Sequence, residues 1–177
     1  MRNLLRLALI SQLFGAVLAP AAATPPAAPK SVEAILAYAG VWKVEMEHYD
    51  TAQSKAGHET TTLRNACWHD GAYVACDQDV DGESKILLVF TYNEKENIYT
   101  SYQIPAGGQE PGTGKLLIDG NVWTFPWQVS EGGKTTYFRV VNVFVTPGRI
   151  ESRQEFSADQ VHWTVTAKAL ETRVSGA

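Results

Sequence analysis

Cysteine is scarce: the 177-residue chain holds two, Cys67 and Cys76. No C-x-x-C occurs. The four histidines, His48, His58, His69 and His162, are dispersed, and none pairs at metal-ligand spacing with another histidine or cysteine. A zinc site is therefore not expected, and no metal or cofactor is assigned. G-x-S-x-G and H-E-x-x-H are also missing, which removes the nucleophile elbow and the zinc-protease helix. Scattered carboxylates such as Glu155 and Asp159 stand at no spacing that pairs them as acid and base, so no catalytic residue is assigned.

Long apolar runs are lacking too. The best stretch, Leu7 to Ala19, is short and interrupted by Ser11, Gln12 and Gly15, so it suits a bilayer span poorly. Arg2 and Arg6 supply a positive start, and Ala21-Ala22-Ala23 offers an A-x-A cleavage site before Thr24. That order of parts is a secretory signal peptide. No cysteine near the cut provides a lipid anchor, so no membrane anchor is expected after cleavage. The expected division is signal peptide 1–23, a disordered Pro/Ala-rich leader 24–31, one folded domain 32–173 and a flexible end 174–177. The location that follows is periplasmic or secreted.

Basic charge is in deficit as well. Fifteen lysines and arginines face nineteen acids, a net charge of -4. Loss of Arg2 and Arg6 with the signal takes this to -6. Nucleic acid and anionic membrane surfaces are poor partners for such a chain.

What fills the sequence is alternation. From Gly40 to Tyr49, Trp42, Val44, Met46 and His48 share one face, while Lys43, Glu45 and Glu47 share the other. This is a half-buried antiparallel strand. Comparable runs follow at about 58–68, 72–80, 84–93, 98–104, 113–119, 121–129, 134–146, 149–157 and 160–170. Turn signals separate them, among them Asp70-Gly71, Asp81-Gly82, Asp119-Gly120-Asn121, Gly132-Gly133 and Pro147-Gly148. Loops this short leave no room for crossover helices. The predicted fold is all-β: a single antiparallel up-and-down barrel of about ten strands, closed to hide its edges. One short helix, Val32 to Tyr38, capped by Ser31, is predicted to cover one end. Ile104 to Gly114 reads as the longest irregular loop.

The two cysteines flank Asp70-Gly71, and export favours their oxidation. Placed directly opposite each other, they pair His69 with Val74 and leave a loop from Asp70 to Tyr73. With Asp70-Gly71 as a two-residue turn they become diagonal neighbours about 7 Å apart, too far for a bond. The four-residue loop is therefore predicted.

Two motif fragments resolve into structure. Asp77, Asp79, Asp81 and Gly82 spell the opening of a calcium loop, but Leu88 stands where the closing glutamate is needed. They read as an acidic hairpin end. Gly112-Thr113-Gly114-Lys115 approaches a P-loop, yet Gln109 replaces the first glycine and Leu116 the magnesium-binding hydroxyl. It reads as loop.

The aromatics are the informative group. Trp123, Phe125 and Trp127 recur at period two, with Trp42, Phe90, Tyr92, Tyr99 and Tyr102 elsewhere. They either fill the core or line a pocket, because sequence does not fix which face is interior. A ten-strand barrel is wider than an eight-strand one, and side chains need not fill it.

Several of these residues carry a resemblance. Gly40-Val41-Trp42 after a short helix resembles the G-x-W opening of lipocalin-like calycin barrels. Cys67-Trp68, Gly71 to Cys76, Asn121 to Phe125, Gly132-Gly133-Lys134, Glu155-Phe156-Ser157 and Asp159 to Trp163 resemble, in that order, a family of bacterial exported proteins with a lipocalin-like domain of unknown function. The likeness spans about residues 36 to 173. Gln160 departs from it, standing where a glycine is expected after Asp159. The resemblance implies the barrel, not an activity. Its distant relatives include nitrobindin-like haem barrels with a histidine ligand near the C-terminal end. His162 alternates out of phase with Trp163 and Val165, so haem is not carried over.

The expectation is an exported binding module holding a small, mainly apolar molecule, gripped by Trp42, Tyr99, Trp123, Phe125 and Trp127. Arg139 is either a contact for an anionic ligand group or an outward residue paired with a neighbouring acid. Two rival readings are a calycin-type isomerase or hydrolase with a buried carboxylate, and a solid barrel acting through its loops.

Overall fold

A computed structural model describes residues 31–176. The expected signal peptide 1–23 and all of the leader but Ser31 lie outside them, as does Ala177. A 3-10 helix, Val32–Tyr38, precedes ten strands: β1 (Gly40–His48), β2 (Gly57–Asp70), β3 (Tyr73–Val80), β4 (Glu83–Asn93), β5 (Ile98–Pro105), β6 (Gly112–Asp119), β7 (Val122–Glu131), β8 (Lys134–Thr146), β9 (Arg149–Ser157) and β10 (Thr164–Ser175). Each strand pairs antiparallel with the next, and β10 returns to β1, so the sheet is one closed barrel. The predicted up-and-down barrel and its short N-terminal helix are both present.

Closure is made by an eight-pair seam in which Val44 faces Glu171, Met46 faces Ala169 and His48 faces Ala167. Gly40 opens that seam. Its φ is +126°, and a Cβ there would lie 2.8 Å from the Ser175 carbonyl oxygen, so only glycine lets the two chain ends cross this closely. Two residues on, the Trp42 indole N–H donates to the Tyr38 carbonyl at 2.9 Å. The Arg173 guanidinium covers the same ring at 4.4 Å. Arg173 also donates to the carbonyls of Ala39, at 2.6 Å, and Ala37, at 2.7 Å. These bonds absorb the end of the helix, whose last carbonyls have no partner within it.

The helix therefore sits as a plug. Ile35 and Tyr38 meet Trp42, Trp123, Phe144 and Ile150 in one buried layer. The Tyr38 ring stands edge-on to Trp123 at 5.0 Å and to Phe144 at 5.2 Å. Tyr99 donates its hydroxyl to the Ser31 carbonyl at 3.0 Å. The expected Ser31 side-chain cap does not form. Packing of Val32, Ala34 and Ile35 holds this short helix, which has too few turns to gain much from a cap.

Three local expectations need correction. Cys67 pairs with Cys76 across the β2–β3 ladder, and they form the disulfide, with His69 opposite Val74 as predicted. The ladder runs one pair further, however, to Asp70 and Tyr73, leaving only Gly71 and Ala72 as the turn. The Tyr73 hydroxyl donates to the Asp70 carboxylate at 3.0 Å, and Gly71 takes the positive φ that a two-residue turn needs at its first position. Gly112 to Lys115 begins β6 instead of extending a loop. The last strand starts at Thr164, not near 160. There Asp159 and Ser157 accept four backbone N–H bonds, from Asp159, Gln160, Val161 and His162, and these side chains outcompete the ladder. Gln160 takes the left-handed conformation, φ 62°, where a glycine would be easier.

Asp81-Gly82 is a hairpin turn with both residues at positive φ. Asp81 accepts the Thr62 N–H at 2.7 Å, and Asp79 pairs with Arg64 at 2.8 Å on the outer face. No cluster of three or more His, Cys, Asp or Glu placed to hold a metal exists among the described residues. No helix among them is long and apolar enough to cross a membrane.

Reducing the disulfide opens a short covalent ring and frees the unfolded chain. Urea denaturation is expected to show stability lower by about 2.5–3 kcal/mol in dithiothreitol than under oxidising conditions. Identical curves, or two free thiols in the untreated protein, contradict the pairing.

Candidate functional site

Above the plug the barrel is hollow, with a cavity of about 470 Å³. Its wall is what alternation dictates. β1 contributes Val44 and Met46, β2 Thr61, Leu63 and Asn65, and β3 Cys76 and Gln78. β4 gives Ile86, Leu88 and Phe90, and β5 gives Ser101 and Gln103. β7 adds Phe125, β8 Val140 and Asn142, β9 Ser152 and Gln154, and β10 Glu171. Ile35 and Tyr38 of the helix form the floor.

Strand β6 contributes nothing, for a steric reason. Its positions opposite Gln103 and Ser101 are Gly112 and Gly114. A Cβ on Gly114 would sit 2.9 Å from the Ser101 hydroxyl and 3.1 Å from the Gln103 amide nitrogen. The G-x-G that resembles a P-loop fragment is the space into which these two polar side chains fit.

The wall mixes apolar and polar side chains: Leu88 stands across from Gln103, Phe90 from Ser101, Val140 from Gln154 and Val44 from Glu171. A short relay links some of the polar groups: Gln78 donates to Asn65 at 3.0 Å, and Asn65 donates to the Tyr38 carbonyl at 3.2 Å. Asn142 donates its amide to the Tyr38 hydroxyl at 2.5 Å. The Asn142 carbonyl oxygen is buried and has no partner.

Glu171 is the group that stands out. It is 9% exposed, and no hydrogen bond or ion pair reaches its carboxyl among the described residues. Burial pushes its pKa up to about 7. Its neighbours across the two ladders are Val44 and Ile150, which carry no charge. The ionisable groups around it are Tyr38 from the helix and Arg173 two residues along β10. Burial raises the Tyr38 phenol well above its ordinary range, and the Glu171 charge adds to that. Arg173 gives its two terminal nitrogens to the Ala37 and Ala39 carbonyls and covers the Trp42 ring, while its Nε is buried without a partner among the described residues. At the open end His48 and Glu59 bond to each other at 3.1 Å.

Of the five aromatic residues expected to grip a ligand, Phe125 lines the cavity. Trp42, Tyr99 and Trp123 are fully buried below it, in and around the plug. Trp127 keeps the inward phase but is 46% exposed, stacked on Phe138 with centroids 5.4 Å apart. The β6–β7 ladder has three pairs and ends at Thr124, so Trp127 extends past the strand that would cover it.

Arg139 faces outward. It forms an ion pair with Glu155, which Arg153 also contacts at 2.8 Å, and lies 3.8 Å from the Trp163 ring centroid. The Ala158 to Trp163 loop folds over this cluster, so the outward, acid-paired alternative describes Arg139. His162 sits in that loop, bonded to Asp159 at 2.7 Å and exposed.

No protein-family model and no curated protein matches this chain. Among solved structures, Rv2717c from M. tuberculosis is similar at a TM-score of 0.46 and 11% identity, over 83% of this chain and 98% of that one. The barrel assignment rests on the strand pairing itself.

A carboxyl with a raised pKa links stability to pH. The folded state binds its proton more tightly than the unfolded state does, so the contribution is whole below about pH 4.5 and is lost as pH rises towards 7. Relative to Glu171→Gln, the wild type is expected to lose on the order of 3 kcal/mol between pH 4.5 and 8. Urea unfolding of both proteins across that range reads it. Parallel profiles contradict the raised pKa.

Proposed function

We propose that this protein is an exported binding module that holds one small, mainly apolar molecule inside its barrel. The observation that carries this reading is the unfilled volume above the plug, lined by Val44, Met46, Leu63, Leu88, Phe90 and Phe125. Its size lies within the usual range for small-molecule sites. Apolar surface moved from water into such a space gains about 25 cal/mol per Å². Gln103, Gln154 and Ser152, set among these apolar side chains, provide the few polar groups that orient a ligand. Export is supported by the Cys67–Cys76 disulfide and by the signal-like N-terminal pattern. The motif order resembling lipocalin-like exported proteins supports it too.

A second reading, an enzyme with a buried carboxylate, has one observation in its favour. Glu171 and the Tyr38 phenol are both ionisable and both face the cavity. A binding module returns its ligand unchanged; an enzyme releases an altered one. Mass spectrometry of a molecule before and after incubation with the protein separates the two.

The neutral dye N-phenyl-1-naphthylamine, which brightens in apolar surroundings, tests the cavity directly. It is expected to bind the wild type at one saturable site. Val140→Trp, which puts an indole into the cavity, is expected to weaken binding at least about tenfold while the far-ultraviolet spectrum stays β-type. No dye binding by the wild type, or equal binding by the variant, contradicts this reading.

A further inference from the structure

This inference rests on the binding reading and names the chemistry of the occupant. We propose that the ligand is an apolar amine: an aliphatic or aromatic body bearing one protonated nitrogen that seats against Glu171.

Charge is the first argument. Among the described residues, Glu171 is the one carboxylate in the cavity wall, and no lysine, arginine or histidine lines it. Arg173, close by on the same strand, is held at the plug by two backbone carbonyls and an indole face. A carboxylate ligand would meet an acid here and no base. An ammonium group would supply the counter-charge that an ionised, buried carboxylate otherwise lacks.

Hydrogen-bond capacity is the second. Glu171 lines the cavity with a carboxyl that no donor among the described residues reaches, while the Asn142 amide beside it is committed to Tyr38. Its ionised form thus presents two acceptors and no donor. A primary ammonium carries three donors and no acceptor, which suits this arrangement. A hydroxyl ligand could serve either acceptor but would leave the charge unpaired.

Wall chemistry is the third. Tyr38, Phe90 and Phe125 put aromatic rings in the same cavity lining as Glu171. Aromatic faces attract cations, and the attraction grows where water is excluded. The aliphatic side chains of the lining, Val44, Met46, Leu63, Leu88 and Val140, fit a hydrocarbon body.

The test displaces bound N-phenyl-1-naphthylamine with three compounds sharing one skeleton: 4-phenylbutylamine, 4-phenylbutanol and 4-phenylbutyrate. At pH 8 the amine is expected to displace the dye at about tenfold lower concentration than the alcohol, with the butyrate weakest. The amine's advantage shrinks as pH falls from 8 to 5.5, when Glu171 takes up its proton. In Glu171→Gln the amine-to-alcohol ratio falls to about one at pH 8, whereas Glu45→Gln, on the outer face, keeps it.

Equal potency of amine and alcohol in the wild type overturns the proposal, as does an amine preference that survives in Glu171→Gln or is independent of pH. If the dye binds without an amine preference, only this inference fails. If the dye does not bind the wild type, the cavity reading fails and takes this one with it.

Discussion

The β1–β10 seam is the constraint on which the rest depends. Ten strands joined by short turns must end beside their own beginning, and the register of that joint fixes which side chains face inward all round the ring. A ring this wide is not filled by wall side chains alone. The protein fills half of it with a different device. The helix folds into one end and is tied there by Trp42 and Arg173, with Tyr38, Trp123 and Phe144 packed around it. The other half stays open as a cavity.

The same register places a carboxyl where it has no answering group. Glu171 shares the inward face of β10 with Ala167 and Ala169, small side chains that leave room instead of partners. An arginine two residues away would ordinarily neutralise it, but here that arginine closes the helix.

The fold was largely legible in the sequence because period-two alternation and Gly-containing turns repeat along the whole domain. Nine strands fall within a few residues of where alternation puts them. β10 does not, because local bonds from Ser157 and Asp159 hold a loop where side-chain phase alone reads strand. The disulfide register was legible from geometry, since only opposed cysteines can bond. The site was far less so. Large aromatics drew attention, yet Trp42, Trp123 and Tyr99 serve the plug, and Trp127 runs past the end of β6. Arg139 is central in its strand but faces outward beneath Trp163. Glu171 and Asn142, which line the cavity, are polar members of largely apolar alternating sets. That break in phase is the signal a reading of the sequence could have used. Whether a polar side chain on an inward face meets a partner depends on neighbours from distant strands, and spacing along one strand carries no record of them.

The ionisation of Glu171 tests the account most directly. With the glutamate side chains ¹³C-labelled, its carboxyl resonance, assigned through Glu171→Gln, can be followed from pH 4 to 9. A titration midpoint near 7 is predicted, the signature of a carboxyl buried in an unfilled barrel without a partner. A midpoint at the ordinary glutamate value, about 4.3, would mean that Glu171 is solvated or already paired, and would contradict the central claim.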